Sequence, residues 1–148
     1  MTAEVEGMAE LKRNLAKLEI NFGKEIKSAL IFGGLLVETQ AKQNIQEVNP
    51  GKQVTRYRNS GTKKAHIAAG AGESPNTDTG NLIRSITTEV KEESVFVGTS
   101  VKYAEALEFG TINMKPRPFL HKALLAKQSK INKLFIKAAK DAINASTN

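Results

Sequence analysis

Apolar residues three and four apart set the two ends of this chain, and alternating ones set its middle. Met8, Leu11, Leu15, Leu18 and Phe22 form an amphipathic seam suited to packing against the body of the molecule or a neighbouring subunit. Ile26, Leu30, Val37, Ala41 and Ile45 continue at helical spacing, which predicts a helix from about Lys24 to Gln46 that runs on from the first or restarts near Gly23. Gly33 and Gly34 weaken its middle, and Asn49, Pro50 and Gly51 end it as a turn. Val54 to Arg58 alternates like a strand, Asn59, Ser60 and Gly61 read as a turn, and Lys63 to Ala69 returns. Gly70, Gly72, Ser74, Pro75, Asn76 and Thr77 then read as a flexible connector.

Asp78 or Thr79 is placed to cap a short helix begun by Gly80, Asn81, Leu82 and Ile83. Ile86, Thr88 and Val90 alternate with polar residues, and after the turn Glu92 to Ser94 the run Val95, Phe96, Val97 is a mostly buried strand stopping at Gly98. That predicts a hairpin of Ile86 to Lys91 with Val95 to Ser100. Tyr103, Ala106 and Leu107 recur at helical spacing between Lys102 and Phe109, and Gly110 is the stop signal. Pro116 and Pro118 keep Lys115 and Arg117 out of the helical region, so this connector is extended and stiff. Pro118 can open a last helix whose stripe is Leu120, Leu124, Ile131, Leu134, Phe135, Ala138 and Ile143, reaching about Ala142. The expected fold is α+β: a small, mainly antiparallel sheet packed against long N- and C-terminal helices, with a long basic hairpin between. Phe96, Phe109 and Phe119, at the junctions, are expected in one apolar cluster, and Glu108 is the expected carboxylate partner of Arg117.

Length changes this picture little, since 148 residues suit one domain, 1–148. No apolar window is long enough for a membrane span, and the acidic start M-T-A-E-V-E-G lacks a signal core. The chain is therefore expected to be made in a cytoplasm, with no membrane partner. Cysteine is absent, which removes disulfides, thiolate catalysis and cysteine-based metal sites. His66 and His121 are isolated, so no metal or other cofactor is expected. The glycine run before Asp78 lacks the G-x-x-x-x-G-K-[ST] pattern of a phosphate cradle, and no nucleophile elbow or acid/base pair is recognisable. The reading is not an enzyme.

Charge adds a partner. The net charge is +7, and from Lys115 onward Asp141 is the one acid against Lys115, Arg117, Lys122, Lys127, Lys130, Lys133, Lys137 and Lys140. A basic half suits an acidic partner, although lysine-rich faces also serve solubility alone. Tyr57 between Arg56 and Arg58, with Lys63, Lys64 and His66 nearby, mixes aromatic and basic groups as a phosphate-tracking surface does, so a nucleic-acid-binding module is the alternative reading.

Several short motifs, in order, carry a resemblance: D-T-G-N-L-I-R-S-I from Asp78, Thr79 and Gly80 onward, V-G-T with Gly98, Y-A with Tyr103, E-F-G-T with Glu108, Phe109 and Gly110, and P-R-P-F-L with Pro116, Pro118 and Phe119. The string resembles the tail-completion or head-to-tail joining proteins of long-tailed bacteriophages. The match spans Asp78 to Ala123; the outer helices agree in pattern only. The resemblance implies a virion protein of the neck or tail end working as a homo-oligomeric ring, six-membered on the sixfold symmetry of phage tails. It also implies other neck or tail proteins as partners, with viral DNA passing the lumen and touching it non-specifically. Within that reading Arg56, Tyr57, Arg58, Lys63, Lys64, Glu108, Lys115 and Arg117 are the subunit or partner contact candidates. The segment Asn49 to Thr77 is expected to be mobile in a free subunit and to order against a neighbour.

Overall fold

In the computed structural model, which describes residues 7–57, 61 and 63–147, the elements follow the expected α+β order. They are α1 (Met8–Gln46), β1 (Gly51–Tyr57), β2 (Lys63–Ala69), α2 (Asn81–Ser85), β3 (Ile86–Lys91), β4 (Ser94–Thr99), α3 (Tyr103–Phe109) and α4 (Leu120–Thr147). Two compact units divide the described residues, one running up to 33 and resuming at 129, the other lying between 34 and 128. None of the described helices is long and apolar enough to cross a membrane.

The first unit is a helix pair. The Asn21 amide donates to Ser146 Oγ at 3.3 Å, and Ile131 packs beside Gly33, so the two helices run antiparallel. Their buried positions are small: Ala29, Gly33, Ala138, Ala142 and Ser146. Ser146 turns its hydroxyl back onto Ala142 O at 2.7 Å, and the helix runs to Thr147, five residues beyond the expected end at Ala142. The larger apolar groups of the pair, Leu30, Ile131 and Leu134 among them, are at most half-buried. Of the seam, Met8, Leu11, Leu15 and Phe22 are exposed in the single chain and Leu18 is half-buried, so of its two expected partners the body of the molecule leaves most of it uncovered.

The second unit is built on two separate hairpins rather than one sheet. In β3–β4 the register pairs Ile86 with Thr99, Thr88 with Val97 and Val90 with Val95, which puts these side chains on one face. Thr87, Glu89, Lys91 and Phe96 share the other. Phe96 is thus not core but 53% exposed, its ring 5.1 Å below the Lys91 ammonium, and Gly98 lies inside the strand rather than ending it. The period of two, not aromatic character, decides its side.

α1 covers the inner face of this hairpin. It is unbroken through Gly23, Gly33 and Gly34, where a restart had been an option. Gly34 has a packing reason: a β-carbon there would lie 2.8 Å from Thr88 Cγ2 and closer still to Val95 Cγ1. In an open helix Gly→Ala gains about 1 kcal/mol, whereas overpacking costs about 1 to 3 kcal/mol. Gly34→Ala is accordingly expected to lower the urea midpoint, and Gly23→Ala, with open space around it, to raise it.

Beside that contact the Glu38 carboxylate accepts from Lys42 Nζ and from the Thr88 hydroxyl, both at 2.6 Å. The Lys42 bond first, then the Thr88 bond, holds the Glu38 carboxyl below its ordinary value of 4.5, against a smaller opposing pull from burial. A depressed folded value stabilises above the unfolded value, and the gain disappears as pH falls through the folded one. Glu38→Gln should be less stable than the parent at neutral pH, with the two denaturation curves converging once pH is well under 4.5.

Candidate functional site

The extended connector of Pro116, Arg117 and Pro118 organises the second unit. Three of its backbone polar groups tie it to other segments: Arg117 N–H donates to Leu107 O at 2.7 Å, Pro116 O accepts from Gly72 N–H at 2.8 Å, and Pro118 O accepts from the Ser74 hydroxyl at 3.0 Å. Gly110 turns the chain into it with φ of 78°, and a β-carbon there would meet Met114 O at 2.7 Å, so this position requires glycine.

The segment read as a flexible connector is therefore fastened. Ser74 and Pro75 are buried, and Asn76 closes the base of the β1–β2 hairpin. Its side chain accepts from Asn49 N–H at 2.7 Å and donates to Asn49 O and Ile67 O at 2.8 and 2.9 Å. A polar loop cluster gives no sign of this in sequence, because both partners are backbone groups, one of them 27 residues away.

Glu108 does not pair with Arg117. Its carboxylate takes three N–H groups at the start of α4, from Phe119 at 2.8 Å, Leu120 at 3.1 Å and His121 at 2.7 Å. The first N–H groups of a helix have no intrahelical acceptor and carry a partial positive charge, so one carboxylate satisfying three of them outcompetes one guanidinium. The last helix consequently begins at Leu120, two residues after Pro118.

The other expected positions separate. Phe119 is fully buried, whereas Phe109 is 76% exposed, so the proposed cluster of three phenylalanines does not form. Ala104, not Tyr103, is the buried residue of α3. Asp78 does not cap α2; it faces Lys64 Nζ at 3.8 Å, and Thr79 Oγ1 takes Asn81 N–H at 3.4 Å just past Gly80. Lys63 and Lys64 are exposed on β2, opposite Tyr57 and Arg56 of β1, and Lys115 is exposed. Arg58 lies outside the described residues. Arg56 and Tyr57 are placed by strand register alone.

Arg117 lines a cleft of about 380 Å³ shared with Ile45, Asn76, Asp78, Leu82 and Leu107. Its Nε is buried without a hydrogen-bond partner among the described residues. Thr111 and Met114 form a small bridge that leaves Ile112 entirely exposed. Among the described residues no group of three His, Cys, Asp or Glu side chains could hold a metal ion. Comparison with known proteins finds no matching family model, no matching curated protein and no matching solved structure.

Proposed function

We propose that this chain is a structural subunit of a phage or prophage particle that assembles into a closed homo-oligomeric ring, of six copies, at the head-tail junction or tail end, completing or joining the tail. In this role it acts by binding other neck or tail proteins and catalyses nothing. The supporting observation is outward apolar surface. The Met8, Leu11, Leu15 and Phe22 seam, Ile20 and Phe32 on α1, and Phe109 with Ile112 beyond α3 all face solvent in the single chain. Scattered exposed leucines are ordinary, but a helical seam left uncovered along one stripe is what a subunit contact needs. The motif string from Asp78 to Ala123 supplies the phage context.

The deciding experiment is negative-stain imaging of the purified chain, alone and mixed with tails lacking it, with mass measured by light scattering. Rings that seat on tail ends support the reading; a monomer that leaves such tails unchanged removes it. The alternative, a nucleic-acid-binding module, draws on the basic β1–β2 ribbon. DNA binding that collapses as salt is raised, without any assembly, would favour it, because phosphate contacts release counterions while apolar contacts survive salt.

The ribbon itself can be tested separately. Replacing residues 56–64 by Asn-Gly keeps the Thr55 to Ala65 pairing and the Asn76 clamp at the base. The shortened chain is expected to keep its melting temperature within a few degrees while losing ring formation or tail attachment. Infectious particles completed by it would mean the ribbon is only a connector.

A further inference from the structure

The cleft around Arg117 is chemically unbalanced. A guanidinium stays ionised throughout the pH range of proteins, and its donors are costly to leave unpaired away from water. Arg117 has no ion pair among the described residues, and its Nε is buried and orphaned. The acid on the cleft lining, Asp78, is engaged by Lys64, and the Asn76 amide is taken by Asn49 and Ile67. The cleft thus offers a fixed positive fork, held by flanking prolines, above an apolar wall of Ile45, Leu82 and Leu107. That combination fits a carboxylate carried on a short apolar stem, since planar guanidinium and carboxylate pair through two parallel hydrogen bonds. A phosphodiester brings charge but no stem for the wall.

The complementary group is on the same chain. Glu92 and Glu93 form the two-residue turn that closes β3–β4, where Lys91 pairs with Ser94. Both are exposed, and neither has an ion pair among the described residues, while the neighbouring Glu89 faces Lys91 at 3.6 Å. Two adjacent carboxylates on a narrow ribbon tip make a protrusion that a cleft of this size admits.

We infer that the Glu92–Glu93 turn of one copy docks into the Arg117 cleft of the next. This rests on the ring reading and supplies one of its contacts. Cleft and turn are different surfaces, so the contact is heterologous, and each copy uses one of each. Contacts of that kind propagate around a ring until it closes.

The test is charge reversal on the full chain, with oligomeric mass followed by light scattering across a dilution series. Arg117→Glu and, separately, Glu92→Arg with Glu93→Arg should each weaken association by about thirtyfold or more, the scale of a lost interfacial charge pair. The chain carrying all three changes should recover assembly. Circular dichroism checks folding, and the turn variant decides if Arg117→Glu fails to fold, because its positions are exposed. Parent rings with unaltered assembly in the turn variant would overturn the docking and leave the ring standing. A parent chain that stays monomeric at every concentration would overturn both.

Discussion

Phe119→Ala is expected to cost about 3 to 5 kcal/mol in chemical denaturation, the largest loss from any single truncation in the second unit. Phe119 is fully enclosed at the N-cap of α4, where its own carbonyl accepts from Ala123 N–H at 3.2 Å and from the Asn44 amide at 3.3 Å. Removing the ring opens a cavity at a point held on several sides by backbone bonds that cannot follow it inward, so little of the void can close. Phe109→Ala is the control. The same truncation of the exposed ring should cost under about 1 kcal/mol, as surface changes do. Equal losses at the two positions would contradict the packing described for this junction.

The second large effect is at Glu108. Glu108→Ala leaves three N–H groups at the start of α4 without their acceptor. Hydrogen bonds to a charged group are worth about 1.5 to 3 kcal/mol each when measured by deletion, but water reaches this helix end in part. A total near 2 to 3 kcal/mol is expected for that reason. Glu108→Gln should lose about half as much, because one oxygen remains as an acceptor while the charge facing the helix dipole is gone. A Gln variant as damaged as the Ala variant would mean the charge, rather than the bonds, does the holding.

What could be read in the sequence follows from the range of each interaction. The β3–β4 hairpin is written in alternating residues around the Glu92–Glu93 turn, and α3 ends where Gly110 stands, because strand pleat and helix caps are local properties. The fate of Phe96 was also local, since it lies one residue off the inner series of Val95 and Val97, but its aromatic character suggested burial. Gly34 looked like a weakness in α1 because the reason for it, close approach to Thr88 and Val95, comes from elsewhere in the chain. Asn76, Ser74 and Glu108 share that difficulty. Each acts on backbone groups of a distant segment, and backbone groups carry no residue type to recognise. The two prolines did foretell a stiff connector at Arg117. They gave no indication that its expected partner would be drawn off by α4.

That connector also has a consequence for how the second unit opens. Residues 116–118 own a single amide proton, that of Arg117, and it is committed to Leu107 O. The carbonyls on either side of it carry Gly72 and Ser74. A fluctuation that frees this proton for exchange with solvent must pull the connector away from α3, and the same displacement takes from Gly72 and Ser74 their acceptors. The two regions therefore belong to one cooperative opening unit, whose free energy can be read from the exchange rate of one backbone position.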